Sequence, residues 1–180
     1  MRRVSLQARA QIIWLVLMVL MSNNVSAQNI PSDVQEIDDY ILKYSIETNA
    51  RTDKIWSLWT DVQQWKRFDT LLEYAYLTQN TPMTLGSVGY LKAQGGIKTK
   101  FEVIQMQSNK SLVLSLKLPF YQVIELHRYV ELSSPEKNII SHEVHFKGAL
   151  RSMYYAMLSR TFKKELQLVM GRLKVVAENE

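Results

Sequence analysis

The chain has 180 residues, 47% of them hydrophobic, with a formal net charge of +5 and no cysteine. The missing cysteine excludes a disulfide framework, a thiolate metal site and a cysteine nucleophile. The basic balance is concentrated at the start: without residues 1–27, which carry Arg2, Arg3 and Arg9 and no acid, the charge falls from +5 to +2. That residue of charge, scattered among acids, does not give the concentrated basic face of a nucleic-acid binder.

Residues 1–27 read as a secretory signal peptide. The three arginines precede an uncharged apolar run from Ile12 to Met21, and Val25-Ser26-Ala27 is a small-residue cleavage pattern. A bilayer span needs about 20 apolar residues, so the run is too short for a comfortable anchor. The expectation is export to a periplasmic or secreted location after cleavage near Ala27. Residues 28–39 are polar and acidic and read as a lead-in, and residues 40–180 as one domain.

Tyr40 to Thr48 alternates apolar and polar positions, the signature of a half-buried strand. Thr52 or Asp53 then caps a helix whose Ile55, Leu58, Trp59 and Val62 follow an i, i+3, i+4, i+7 stripe, and Trp65 and Phe68 continue it as a second short turn. Strands follow at Leu72–Thr78 and Ser87–Ala93. Gly95-Gly96 suits a tight hairpin turn because glycine tolerates positive φ.

In the next strand, Lys98–Gln107, Phe101 and Val103 share one parity, but Ile104 and Met106 share the other. A β-bulge near Val103 or burial on both faces accounts for the switch. Leu112, Leu114, Leu116 and Leu118 alternate cleanly. Tyr121–Leu132 and Ile139–Lys147 form a long hairpin about Ser133-Ser134-Pro135-Glu136. From Leu150 to Glu178 an amphipathic stripe runs through Tyr154, Met157, Leu158, Leu166, Val169 and Leu173. A helix of that length spans roughly 43 Å, enough to cross a wide sheet. The order of elements predicts an α+β fold. A curved antiparallel sheet of seven strands wraps a long C-terminal helix, with two short helices after the first strand.

Ile46, Ala50, Ile55 and Trp56, then Asp61-Val62 with Trp65 and Asp69, and Ser141-His142-Glu143-Val144 before the last helix form a loose pattern. In it the chain resembles the START/polyketide-cyclase (SRPBCC) superfamily over residues 40–178. The resemblance implies a helix-grip fold and either a carrier of lipids or hormones or an aromatase/cyclase-type enzyme. Most members of that superfamily are cytosolic, so the leader is a departure from it.

Strand parity gives the candidate site. Ile124, Leu126, Val130 and Leu132 share a face with Arg128, and Ile140, Val144 and Phe146 share one with His142. Pairing Leu132 with Ile140 sets Arg128 opposite Val144 and His142 on the diagonal, roughly 7–8 Å away. A cation and an imidazole in an apolar wall are costly to bury without a partner, which a ligand carboxylate, phosphate or phenol would supply. The competing readings are a rim position and a structural acid beside Arg128. Leu114, Leu116, Leu126, Val144 and Phe146 then line the hollow. Tyr74, Tyr76 and Tyr90 add rings with hydroxyl tips, and Tyr154, Met157 and Leu158 add the helix side.

His142 and His145 point to opposite faces of a strand, so no metal site is expected. No cofactor is expected either. The expected function is a carrier of a hydrophobic or amphipathic small molecule in a cavity of roughly 300–1,000 Å³ between sheet and helix. The alternative is a cyclase/dehydratase-type enzyme with His142 as acid/base and Arg128 steadying an enolate. A membrane surface is a weakly supported partner, resting on Arg160, Lys163 and Lys164 of the last helix.

Overall fold

The structure, a computed structural model, describes residues 34–79 and 81–179. The signal peptide read at residues 1–27 lies outside the described residues. Eight strands form one antiparallel sheet in the spatial order β1-β2-β8-β7-β6-β5-β4-β3. They are β1 (Gln35–Asp38), β2 (Ile41–Thr48), β3 (Leu72–Leu77), β4 (Val88–Ala93), β5 (Thr99–Gln107), β6 (Ser111–Lys117), β7 (Val123–Ser134) and β8 (Lys137–Lys147). Helix α1 (Thr52–Thr60) and the single turn α2 (Trp65–Phe68) follow β2, and α3 (Arg151–Glu178) closes the chain. This is the helix-grip arrangement, with eight strands where the sequence predicts seven. The extra strand, β1, falls in the polar lead-in. All four of its residues are exposed, so it has no alternation to read.

One face of the sheet carries the core. Leu42, Phe101, Val103, Leu112, Leu114, Ile140 and Val144 are essentially inaccessible there, covered by Trp59, Phe68, Met170 and Leu173 from the helices. Period-2 alternation fixes this face along each strand. The expected bulge exists: pairing of β5 with β6 shifts register between Val103 and Gln105, and Met106 then pairs with the buried Leu112. Trp65 donates its Nε1–H to the Trp59 carbonyl at 3.0 Å and packs on Phe101, with ring centroids 5.5 Å apart. The short helices are therefore locked by tryptophans instead of side-chain caps. Thr52 and Asp53 do not cap α1. Its N-cap is Arg51, which makes no capping bond but pairs with Asp53 at 2.9 Å.

Gly89 sits where the sheet meets the Phe101 ring. A Cβ there would lie 2.3 Å from Phe101 Cζ and 2.5 Å from the Tyr76 carbonyl oxygen. The second contact is backbone and cannot swing away. Gly89→Ala should therefore cost about 1–3 kcal/mol, the usual range for overpacking, read as a lowered thermal midpoint with an unchanged ligand-free fold by circular dichroism.

Helix α3 is tied at both ends. Near its start the buried Gln122 accepts the Leu150 N–H at 2.8 Å and donates to the Phe120 carbonyl at 2.8 Å. At its end Glu178 Oε1 accepts from Thr48 Oγ1 at 2.9 Å and from the Asn49 N–H at 2.8 Å. Tyr154, Leu166, Met170, Leu173 and Ala177 are its buried residues. No helix among the described residues is long and apolar enough to cross a membrane.

Candidate functional site

Four ionisable side chains converge between the sheet and the middle of α3. Arg128 of β7 and His142 of β8 face inward and are directly paired across the strands. Asp69, just after α2, and Glu165 of α3 complete the group. Together with Leu126, Val144, Phe162, Leu166 and Val169 they line a cavity of about 80 Å³. The Arg128 guanidinium stands 4.9 Å from the Trp65 ring centroid, a cation–π distance, and the His142 ring lies 5.7 Å from that of Trp59. Arg128 is 7% and His142 6% exposed, yet Arg128 Nη1 and His142 Nε2 have no protein partner. A buried donor left unpaired costs about 1–3 kcal/mol, so these two atoms ask for a water or a ligand.

The surroundings set the charges. Burial holds the His142 imidazole well below its ordinary pKa, and the nearby Arg128 charge pushes the same way, so the ring is neutral. Burial lowers Arg128 to about 10, opposed by the attraction of Asp69, and it stays a cation at neutral pH. Burial raises Asp69, offset by Arg128 and by the N–H groups of Leu71 and Leu72. Burial together with the negative field of Asp69 pushes Glu165 up to about 7. Part of the Glu165 surface still reaches the cavity although protein surrounds the carboxyl. Around neutrality the site holds the Arg128 cation, a neutral His142 imidazole, the Asp69 carboxyl raised by burial, and a Glu165 carboxyl that gains or loses its proton easily.

The sequence matches no family model and no curated protein. Solved structures do match. A hypothetical protein of Helicobacter pylori aligns with TM-score 0.65 and 13% identity over 86% of this chain and 98% of its own. A START superfamily protein of Mycobacterium smegmatis aligns with TM-score 0.60 and 14% identity over 77% of this chain and 97% of its own. DynU16, a protein of the dynemicin biosynthetic locus, aligns with TM-score 0.57 and 17% identity over 76% of this chain and 46% of its own. The chain has the START-type helix-grip fold.

On this START-type frame the predicted residues separate into groups. Arg128, His142, Leu126 and Val144 meet at the cavity. Leu114, Leu116 and Phe146 share the inner face but are packed core away from it. Phe146 is edge-on to Tyr155 and Phe162. Tyr154 is buried near the start of α3, its hydroxyl 3.3 Å from the Pro119 carbonyl, and Met157 and Leu158 are half-buried on the same helix; none of the three lines the cavity.

Tyr74, Tyr76 and Tyr90 are corrected outright. Their rings form a ladder with centroid spacings of 6.0 and 5.8 Å on the outer face, where Lys98 stands 4.1 Å over Tyr90. Ala75 and Leu77 take the inward positions instead, because Leu77 pairs with Gly89, whose inner side the Phe101 ring fills.

The register is corrected too. Val130 pairs with Ile140 and Leu132 with Asn138, so Arg128 faces His142 directly and Val144 faces Leu126.

The volume beneath α3 is also smaller than expected. The cavity is about 80 Å³, and Trp59, Trp65, Phe101 and Leu166 are buried core side chains. A larger open cleft of about 890 Å³ lies beyond α1, lined by Trp56, Val62, Ala75, Leu77, Met83 and Met106 among others. It contains no buried charged group, and its size alone does not make it the site. Asp69, Phe162, Glu165, Leu166 and Val169 line the cavity but are missing from the site read in the sequence. The spacing Phe162, Glu165, Val169 is an i, i+3, i+7 stripe that places Glu165 on the sheet-facing side.

Proposed function

We propose that this chain binds a small amphipathic molecule whose oxygen-bearing polar end enters the cavity under α3. The unpartnered Arg128 Nη1 and His142 Nε2 carry this reading. An Arg128 N–H, the protonated Glu165 carboxyl and one tautomer of His142 would offer three donors to a carboxylate, phenol or carbonyl oxygen. At about 30 Å³ per water, the cavity holds two or three waters or one polar head group. Both ends of α3 are tied, so the apolar part of the ligand would lie along the half-buried flank of Leu126, Phe162 and Val169. The leader pattern ending at Ala27 supports a carrier that works after export.

A second reading has a specific observation behind it. A buried carboxyl near pKa 7 beside a neutral imidazole suits proton transfer, so a cyclase/dehydratase-type enzyme would use Glu165 rather than His142 as its acid/base group. DynU16, from a biosynthetic locus, shares the fold.

The amphipathic anion 8-anilinonaphthalene-1-sulfonate (ANS) tests the site. Saturable one-to-one binding should shift backbone amide NMR signals of β7, β8 and the middle of α3. Shifts confined to Trp56, Met83 and Met106 would move the site to the open cleft, and no saturable binding would remove the carrier reading.

A further inference from the structure

The outer face of the same two strands carries a second cluster. Glu125 and His127 of β7 and Glu143 and His145 of β8 point away from the core. The register pairs Glu125 with His145 and His127 with Glu143, giving a two-by-two checkerboard of carboxylates and imidazoles. The imidazoles stack with centroids 4.0 Å apart and planes 9° from parallel. His127 Nε2 lies 3.0 Å from Glu125 Oε2, and His145 Nε2 lies 2.9 Å from Glu143 Oε2. These side chains are only 11–17% exposed, although they lie on the face away from the helix. A solvated strand face would hold such groups apart and in water.

We propose that Glu125, His127 and His145, with Glu143 as fourth ligand or as the partner orienting His145, form a binding site for a divalent transition-metal cation of the zinc class. One ligand atom from each of the first three already lies within 4.8 Å of the others. In a tetrahedral site with bonds of about 2.0–2.2 Å, ligand atoms stand roughly 3.3 Å apart, so a modest tilt of the two rings closes the site. The Tyr129 hydroxyl is 2.9 Å from His127 Nδ1, which leaves Nε2 as the ligand atom and fixes the ring plane. Mixed imidazole and carboxylate ligands suit zinc, copper or nickel over calcium or magnesium. Lys147 Nζ now lies 2.6 Å from Glu125, and Lys43 Nζ 3.2 Å from Glu143. Both ammonium groups sit on long, partly exposed arms that can swing out when a dication replaces them.

All three histidines of the chain lie on these strands, and His142 on the inner face is an internal control. Zinc chloride is titrated into the chelator-stripped full chain at pH 7.5, and the imidazole nitrogens are followed by NMR. One equivalent should shift His127 and His145 and leave His142 in place. His145→Asn and Glu125→Gln should each weaken zinc binding at least tenfold. Glu125→Gln keeps shape and volume, which guards against misfolding as the cause. Zinc that moves no histidine, moves His142 equally, or binds Glu125→Gln as tightly as the unmodified chain overturns the site. Competition by excess zinc that leaves ANS binding intact keeps the outer site distinct from the inner cavity.

Discussion

Arg128→Met should weaken binding of ANS more than tenfold and change binding of the uncharged analogue N-phenyl-1-naphthylamine less than about twofold. A tenfold loss corresponds to about 1.4 kcal/mol, modest for one charge-assisted hydrogen bond in a buried site. Methionine keeps the apolar stem that packs on Trp65 and removes only the guanidinium, so the cavity wall survives. Equal losses for both probes would point to a collapsed cavity, and unchanged ANS affinity would take Arg128 out of the site.

The same substitution acts on stability through Asp69. Its carboxyl is already raised by burial and loses the Arg128 charge that opposes this rise. Asp69 is only half-buried and feels Arg128 as a field, so losing that charge should cost about 1–2 kcal/mol while the carboxyl stays ionised. The partly wet cavity places the expected loss near the lower end. A raised carboxyl favours folding fully below its unfolded pKa, and that contribution disappears as pH rises through the folded value. Arg128→Met should therefore be closest to the unmodified protein near pH 4 and fall behind it towards pH 8, measured by urea unfolding across that range.

Why Arg128 and His142 were legible in the sequence, and Glu165 was not, follows from geometry. Strand parity has a period of two, so it survives errors of register by an even number of residues. The expected pairing of Leu132 with Ile140 is off by two, because the hairpin closes on Pro135-Glu136 with Ser134 opposite Lys137 and a register shift after Leu132. Every side chain keeps its face while every partner changes. That is why the inward pair was right and its predicted diagonal spacing was wrong.

Parity without a strong apolar bias gives no such protection. In β3 it separates Tyr74 and Tyr76 from Ala75 and Leu77, and rings with hydroxyl tips suit a pocket wall for an amphipathic ligand. What decides is crowding on the inner face, where Phe101 already occupies the space over Gly89. Large rings go outward, where lysines cover them and hydroxyls reach water. Glu165 was hidden for a different reason. A glutamate beside two lysines reads as a solvated helix face, and only the tertiary packing that buries it, with Asp69 nearby, reveals the cost of its charge. The outer checkerboard was equally hidden, since each strand supplies only one Glu–His pair two residues apart and the two pairs meet only through the cross-strand register. A scan for histidine spacing along one segment passes over it.

Glu165→Gln should make the protein more stable above pH 7 and leave it unchanged near pH 4. Burial and the Asp69 charge hold the Glu165 carboxyl at about 7 in the folded chain, above the ordinary value of 4.5. Folding therefore binds this proton more tightly than the unfolded chain does. The contribution is complete below 4.5 and declines as pH rises through about 7. Full conversion of such a shift is about 3 kcal/mol, and screening by water in the cavity reduces it to about 1–2 kcal/mol.

Other carboxylates move the opposite way. Glu125 and Glu143 are lowered because their lysine and histidine bonds outweigh burial, and they favour folding above their unfolded pKa. The raw pH profile mixes both kinds, but the difference between the unmodified chain and E165Q isolates one carboxyl. The two stability curves should coincide at pH 4 and separate between 4.5 and 8. Parallel curves would mean that Glu165 ionises as an ordinary surface acid. The same proton links stability to binding. An anion seated on Arg128 raises Glu165 further, so binding of ANS at pH 7.5 should take up a fraction of a proton. That uptake appears as a calorimetric heat that changes with the ionisation enthalpy of the buffer, and it should shrink sharply in E165Q, which lacks the carboxyl held at about 7.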